Sequence, residues 1–122
     1  MKLRIKHNSI RYRLTKSDVK QLTEGRYLED GVDFGATVLK YAIEITSNQI
    51  LSTAFLTDSV TLFMPRFMID ELATTSRIGF ENNVNGLQLL VEKDFTCLDN
   101  VADDQSDNYP NPINEKYLEE EG

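Results

Sequence analysis

Residues 2–14 read KLRIKHNSIRYRL, and this stretch decides the fold class. On both sides of His7-Asn8, apolar side chains alternate strictly with polar, mostly basic ones, which is the pattern of two half-buried strands. Asn is common in tight turns, so a two-residue hairpin is the expected connection. The stretch therefore predicts a β-hairpin with one apolar face and one basic face.

The residues after this hairpin predict a short helix and then more strands. Thr15 suits the N-cap, Asp18 would lie in the first helical turn, and Gly25 suits the end. Alternation of period two then returns. The segments that show it are residues 27–34, 38–46, 49–56 and 59–64.

A second helix and a last hairpin complete the predicted elements. Pro65 is well placed for the first turn of a helix that ends near Thr75. Two further strands, 77–81 and 87–95, flank Asn85-Gly86, which is a strong hairpin signal. We predict a single α+β domain over residues 1–98, with a curved, mainly antiparallel sheet of six or seven strands, two short helices and no internal repeat.

Residues 99–122 form an acidic, irregular segment that cannot build its own core. We expect it to be partly disordered or to lie over the domain as a strap, with Tyr109, Pro110 and Pro112 as anchors.

The chain has 122 residues, of which 40% are hydrophobic, so one core is expected. No apolar run approaches the roughly 20 residues of a membrane span, and no signal-peptide pattern follows Met1. The single cysteine, Cys97, fits a reducing compartment, so a cytoplasmic protein is expected.

The net charge of -7 conceals opposite charges at the two ends of the chain. Residues 1–20 carry a net charge of +6, whereas residues 94–122 carry -8. The cations of the predicted basic face are Lys2, Arg4, Lys6, Arg11 and Arg13. Like charges on neighbouring strands repel. Three outcomes are open: internal carboxylates neutralise the face, an external anion binds it, or solvent alone screens it.

These outcomes define the candidate site residues. Arginine forks match phosphate oxygens, so the candidate anion-binding residues are Arg4, Arg11, Arg13 and Lys40. The candidate internal counter-charges, besides the acidic segment, are Glu44, Glu92 and Asp94.

Other chemistries find less support in the sequence. A pI of about 4.6 and the lack of any nucleic-acid-binding motif disfavour a nucleic-acid partner. Cys97 has only His7 as a possible base, so it is expected to be a small buried side chain. The spacing of the acidic cluster does not match a calcium loop. That cluster comprises Asp99, Asp103, Asp104 and Asp107. No catalytic motif is present, so no catalytic residue, metal or cofactor is predicted.

Two segments carry a resemblance to a known family. The opening KLRIKHNSIRYRLTKSDV and the closing VEKDFTCL, followed by an acidic stretch and DNYPNP, resemble a family of small bacterial proteins described as a domain of unknown function. The resemblance covers most of the chain and implies an intracellular bacterial protein. It transfers no catalytic residue.

The leading functional hypothesis is a non-enzymatic intracellular accessory or interaction domain whose basic hairpin face is neutralised by its own carboxylates. The alternative is a protein that binds or hydrolyses a phosphate-type anion, such as a nucleotide or polyphosphate, on the same face. A homo-oligomer, formed through an exposed strand edge or between the basic face and the acidic segment of another copy, is a third possibility.

Overall fold

The computed structural model describes residues 1–95 and 106–110, and within them it shows eight strands and two helices. The predictions for Cys97, Asp99, Asp103 and Asp104 lie outside the described residues, as does most of the acidic segment. The elements are β1 (Lys2–Lys6), β2 (Ser9–Leu14), α1 (Lys16–Glu24), β3 (Tyr27–Asp33), β4 (Val38–Thr46), β5 (Ser52–Leu56), β6 (Ser59–Pro65), α2 (Arg66–Thr74), β7 (Gly79–Val84) and β8 (Leu87–Lys93).

The strands form two four-stranded sheets, so the prediction of one sheet with six or seven strands is wrong. The first sheet has the order β1-β2-β8-β7, and the second has the order β3-β4-β6-β5. Each sheet consists of two antiparallel hairpins joined by a parallel central pair, β2 with β8 and β4 with β6. Local alternation predicts strands but not which distant strands pair, and this is why the sequence did not reveal the two sheets.

Local signals predicted the turns and helices well. The β1–β2 connection is tight, and His7 takes the positive φ of 50° that it requires. Asn85 and Gly86 both have positive φ, as the last hairpin turn demands. Thr15 and Asp18 form a reciprocal capping box at the start of α1. Pro65 is the N-cap of α2 rather than a residue of its first turn. The strand predicted at 59–64 extends one residue further, and the strand predicted at 77–81 is found at Gly79–Val84.

The chain contains a structural duplication that the sequence analysis missed. Each half runs strand, strand, helix, strand, strand, and residues 2–24 correspond to residues 52–74 at a constant offset of 50. The strand register agrees, because Lys2 faces Arg13 in the first half and Ser52 faces Phe63 in the second. Over these 23 positions, only Ser9/Ser59 and Leu22/Leu72 are identical. The repeat lies in the pattern of buried positions and not in the residues themselves.

Both halves contribute equivalent side chains to one core. The buried pairs are Tyr12/Leu62, Leu14/Met64, Val19/Ile69 and Leu22/Leu72. These positions recur at period two on the strands and at helical spacing on α1 and α2, which contact each other. Burial of these apolar faces fixes which strand face points inward, and therefore which side chains point outward.

Candidate functional site

The cations of the β1–β2 hairpin lie on the outer face of the first sheet. Because Tyr12 and Leu14 are buried on the inner face, the alternate residues of β2, Arg11 and Arg13, point outward. In the strand register, Arg4 is opposite Arg11 and Lys2 is opposite Arg13. We call this set of five side chains the basic face: Lys2, Arg4, Lys6, Arg11 and Arg13.

Two carboxylates, one on β8 and one on the residue that follows it, contact the end of the basic face that is far from the hairpin turn. Glu92, on β8, is the register partner of Arg13. Its Oε1 atom accepts a hydrogen bond from Arg13 Nε at 3.2 Å and lies 3.6 Å from Arg11 Nε. Asp94 Oδ2 lies 3.1 Å from Lys2 Nζ. We call this end, with Lys2, Arg11, Arg13, Glu92 and Asp94, the paired end.

The other end of the basic face, at the hairpin turn, has a different environment. Among the described residues, no carboxylate forms an ion pair with Arg4 or Lys6. A surface pocket of about 410 Å³ opens here. Its lining is Arg4, Lys6, His7, Asn8, Ser9 and Arg11, none of which is acidic. We call this region the open end. The basic face is thus divided into a paired part and an open part.

Two of the predicted site residues lie in the second sheet and not on the basic face. Lys40 is on β4, where its Nζ is 3.9 Å from Glu29 Oε1. Glu44 is on the same strand, opposite Tyr27 and Phe63. The structure therefore groups Arg4, Arg11 and Arg13 with Glu92 and Asp94, and places Lys40 and Glu44 elsewhere.

The described piece of the acidic segment, residues 106–110, runs over the start of α1 and the end of β8. The main chain of Lys16 donates to Asp107 O at 3.0 Å, and that of Tyr109 donates to Asp94 O at 2.8 Å. The Asp107 carboxylate accepts from Ser17 N at 3.2 Å and from Ser17 Oγ at 3.0 Å. Hydrogen bonds from the side chain of Thr15 and from Ser17 hold the pKa of Asp107 below its usual value. This acid therefore stabilises the N-terminus of α1 and not the basic face.

Lys93 was not singled out by the sequence, yet it is one of two buried charged residues in the described part of the chain, together with Asp94. Its Nζ donates to Thr75 O at 2.9 Å and lies 4.9 Å from the centre of the Tyr109 ring. Burial lowers the pKa of Lys93. The sequence could have indicated that Lys93 is buried. In the strand that begins at Leu87, Lys93 lies on the same face as Leu89 and Val91, which are apolar.

Within residues 1–95 and 106–110, no three His, Cys, Asp or Glu side chains are grouped in a way that could hold a metal ion. Neither described helix is long and apolar enough to cross a bilayer.

Comparisons with known proteins identify the family and nothing more specific. No curated protein matches the chain, and no solved structure matches it. The family model described as a family of unknown function, DUF7009, matches residues 1–113. This confirms the resemblance to a domain of unknown function noted from the two terminal segments. Since the match extends over most of its length, the chain belongs to the DUF7009 family.

Proposed function

We propose that this chain is a non-enzymatic accessory or interaction domain of the cytoplasm whose basic face is partly neutralised by its own carboxylates. The observation that carries the proposal is the position of Glu92, whose Oε1 atom lies within 3.6 Å of both Arg11 Nε and Arg13 Nε. Two unit charges about 5 Å apart repel by roughly 1 kcal/mol in water and about 3 kcal/mol at an effective dielectric near 20. A carboxylate between two guanidinium groups offsets that repulsion and fixes both side chains.

The paired end orients the face, and the open end supplies the groups that a partner would contact. Arg11 belongs to both, because it approaches Glu92 and also lines the pocket. Arg4 and Lys6 are exposed, so a partner can reach both side chains. A surface of this kind favours partners that present acidic or phosphorylated groups, since arginine donates in a fork that matches such oxygens.

A matched pair of variants tests the role of Glu92. Glu44 occupies the equivalent position in the second sheet, where its register partner is Phe63 instead of Arg13. We expect Glu92→Gln to lower the free energy of unfolding by about 0.5–1 kcal/mol at low salt, with the loss shrinking as sodium chloride is added. Glu44→Gln should change it by less than about 0.3 kcal/mol. Equal effects of the two substitutions would contradict the proposal.

The same pair reports on the binding surface. Because Glu92→Gln frees Arg11 and Arg13, it should raise the affinity for pyrophosphate, used as a simple anionic probe, while Glu44→Gln leaves the affinity unchanged. Isothermal titration at low ionic strength measures this difference. An affinity that does not rise in Glu92→Gln would mean that Glu92 does not compete with an external anion for Arg11 and Arg13, and would contradict self-neutralisation.

The pocket at the open end favours a second candidate function, the binding of a small phosphate-type anion. Its lining contains two guanidinium groups, those of Arg4 and Arg11, which face each other in the strand register. Lys6 and the neutral polar groups of Asn8 and Ser9 complete a set of hydrogen-bond donors. A phosphate group would relieve the repulsion between the two arginines by binding both.

Thermal shift with phosphate, pyrophosphate and a nucleoside triphosphate tests this candidate. An anion present at ten times its dissociation constant should stabilise the fold by about 1.4 kcal/mol. Arg4→Gln should abolish the shift, whereas Lys20→Gln, which removes an exposed cation from α1, should retain it. The candidate fails if none of the three anions stabilises the protein at millimolar concentration, or if Arg4→Gln responds like the wild type.

A further inference from the structure

The edge strand β5 is the least protected edge of the two sheets. It pairs with β6 on one side only, and its sequence, STAFL, carries no charge and no proline. Phe55 and Leu56 are 70% and 73% exposed, the highest values among the large apolar side chains of the described residues. Soluble monomers usually protect such an edge with charges, proline or a bulge, because its free N–H and C=O groups can pair with another strand.

The duplication provides an internal reference for this edge. The equivalent edge strand of the first half is β1, in which Lys2, Arg4 and Lys6 occupy the positions of Ser52, Ala54 and Leu56. All three cations of one edge are thus replaced by small or apolar residues in the other. The same scaffold has one edge that repels a copy of itself and one that does not.

Charge also distinguishes β5 from the other three edges of the described sheets, which are β1, β3 and β7. The edge strand β7 carries one acid, Glu81. Two copies of β1 would bring Lys2, Arg4 and Lys6 against each other. Two copies of β3 would do the same with its acids, which are Glu29, Asp30 and Asp33. Like charges directly opposite each other on paired strands are destabilising. Of the four edge strands of the described sheets, β5 alone carries no charged side chain, so two copies of it meet without such opposition.

We propose that a second copy of this chain docks on β5, in antiparallel register about a two-fold axis at Ala54. A two-residue turn, Thr57-Asp58, closes the β5–β6 hairpin, in which Leu56 is the register partner of Ser59. In a two-residue hairpin the closing pair is of the hydrogen-bonded kind. By alternation, Thr53 and Phe55 direct their main-chain N–H and C=O groups away from β6. In the dimer, Thr53 of each copy lies opposite Phe55 of the other.

The contact is isologous, so it closes at two copies and does not propagate. It joins the two second sheets into one sheet of eight strands. Cross-strand pairs of an aromatic with a β-branched side chain, such as Phe55 with Thr53, are favourable. The small side chain of Ala54 allows the two backbones to approach at the axis. A five-residue edge is a small interface, and we expect an association in the micromolar range or weaker, as for interfaces below about 1,200 Å².

Sedimentation of the full chain over a range of concentrations tests the proposal. The wild type should pass from one to two chain masses, and the dissociation constant should be nearly unchanged when the sodium chloride concentration is raised tenfold, because the interface has no charges. Ala54→Lys places like charges on the axis and should leave a monomer at all concentrations. Ala36→Lys makes the same chemical change in an exposed turn and should retain the dimer.

Folding of Ala54→Lys is checked by circular dichroism, and Arg4 at the equivalent position of β1 indicates that the edge accepts a cation. If that variant does not fold, Leu56→Glu serves instead, since the Leu56 side chain is mostly exposed. A wild type that stays monomeric at millimolar concentration overturns the proposal. So does a dimer that survives Ala54→Lys, or Leu56→Glu where that variant takes its place. A dimer that dissociates at high salt also overturns it, because a contact between the basic face and the acidic segment would behave in that way. A complex whose mass is not twice that of the chain does the same.

Discussion

The two halves of the chain bury Tyr12 and Leu62, or Leu14 and Met64, at equivalent places, but they expose opposite chemistry. Where β2 carries Arg11 and Arg13, β6 carries Thr61 and Phe63. The buried positions therefore specify the scaffold, while the outward positions are free to diverge. The comparison teaches that one ββαββ unit can serve a charged surface in one copy and an uncharged edge in the other.

The largest expected effects come from truncating equivalent core side chains, which tests whether the two halves contribute equally to stability. Leu22 and Leu72 lie on α1 and α2, and are 0% and 1% exposed. We expect Leu22→Ala and Leu72→Ala each to lower the free energy of unfolding by about 2–5 kcal/mol. If the halves are equivalent scaffolds, the two losses should agree within about 1 kcal/mol, as measured by urea denaturation.

The exposed residue Leu56 provides the control for these substitutions. Leu56→Ala should cost less than about 0.5 kcal/mol. A large loss in one helix and almost none in the other would break the comparison, because it would mean that only one half supports the core.

A second substitution tests a position that holds glycine in the first sheet and a large side chain at the equivalent place in the second. Gly79 faces Glu92 across β7 and β8, while Tyr27 faces Glu44 at the equivalent place. A Cβ atom on Gly79 would overlap Val91 O and lie 2.8 Å from Glu92 Cβ. Gly79→Ala should therefore destabilise the fold by about 1–3 kcal/mol, as in overpacked sites. Thermal or urea unfolding measures the loss.

The exposed neighbour Glu81 is the control on the same strand, and Glu81→Ala should change stability by less than about 0.5 kcal/mol. Because Glu92 must move to admit the methyl group, Gly79→Ala should also weaken the salt dependence assigned to the contacts of Glu92 with Arg11 and Arg13. A Gly79→Ala variant as stable as the wild type would show that the sheet relaxes at this site. Position 79 would then accept a side chain, as position 27 does in the second sheet.

A third substitution makes the core of the first half more like that of the second. The hydroxyl of Tyr12 is buried and has no hydrogen-bond partner among the described residues, and burial raises the pKa of Tyr12. Leu62, its counterpart, has no polar atom. Tyr12→Phe should therefore raise the free energy of unfolding by about 1 kcal/mol, because an unsatisfied buried group is removed. A clear loss of stability in denaturant titrations would reveal a partner for this hydroxyl.

The smallest expected effect concerns the start of α1, where Asp107 accepts hydrogen bonds, whereas α2 has no side-chain cap. Because the folded state lowers the pKa of Asp107, its contribution is present above the unfolded value of about 4 and is lost as the pH falls through the lower, folded value. Asp107→Asn should lower the melting temperature by a few degrees at most at pH 6.

The difference in melting temperature between Asp107→Asn and the wild type should shrink as the pH falls from 6 to 3. Thermal scans at half-unit pH steps measure it. A constant difference across this range would show that the charge of Asp107 does not contribute to holding the segment 106–110 on α1.

The sequence predicted what local chemistry determines. The capping box of Thr15 and Asp18, the Asn85-Gly86 turn and the common face of Arg11 and Arg13 all follow from spacing. The parallel pairing of β2 with β8 does not, because 79 positions separate partners such as Ser9 and Gln88. The duplication was missed because selection for buried shape leaves only Ser9/Ser59 and Leu22/Leu72 identical.

The same limits apply to the candidate site. Glu92 could be proposed from its place on the last strand, but Lys40 and Glu44 were assigned to the basic face without knowledge that there are two sheets. The acidic segment was proposed as a counter-charge to the basic face only because its net charge is negative. Its described acid, Asp107, instead accepts hydrogen bonds from Ser17, a local contact that net charge cannot reveal.

The strand order sets a sequence of events during synthesis on the ribosome. All four strands of the second sheet lie between residues 27 and 65, so that sheet can close while the chain is still growing. The β1–β2 hairpin is made first, yet its parallel neighbour β8 ends only at Lys93. Until β8 has been made, the cations of this hairpin have no Glu92 beside them, so the self-neutralised face forms only after nearly the whole described domain has been synthesised.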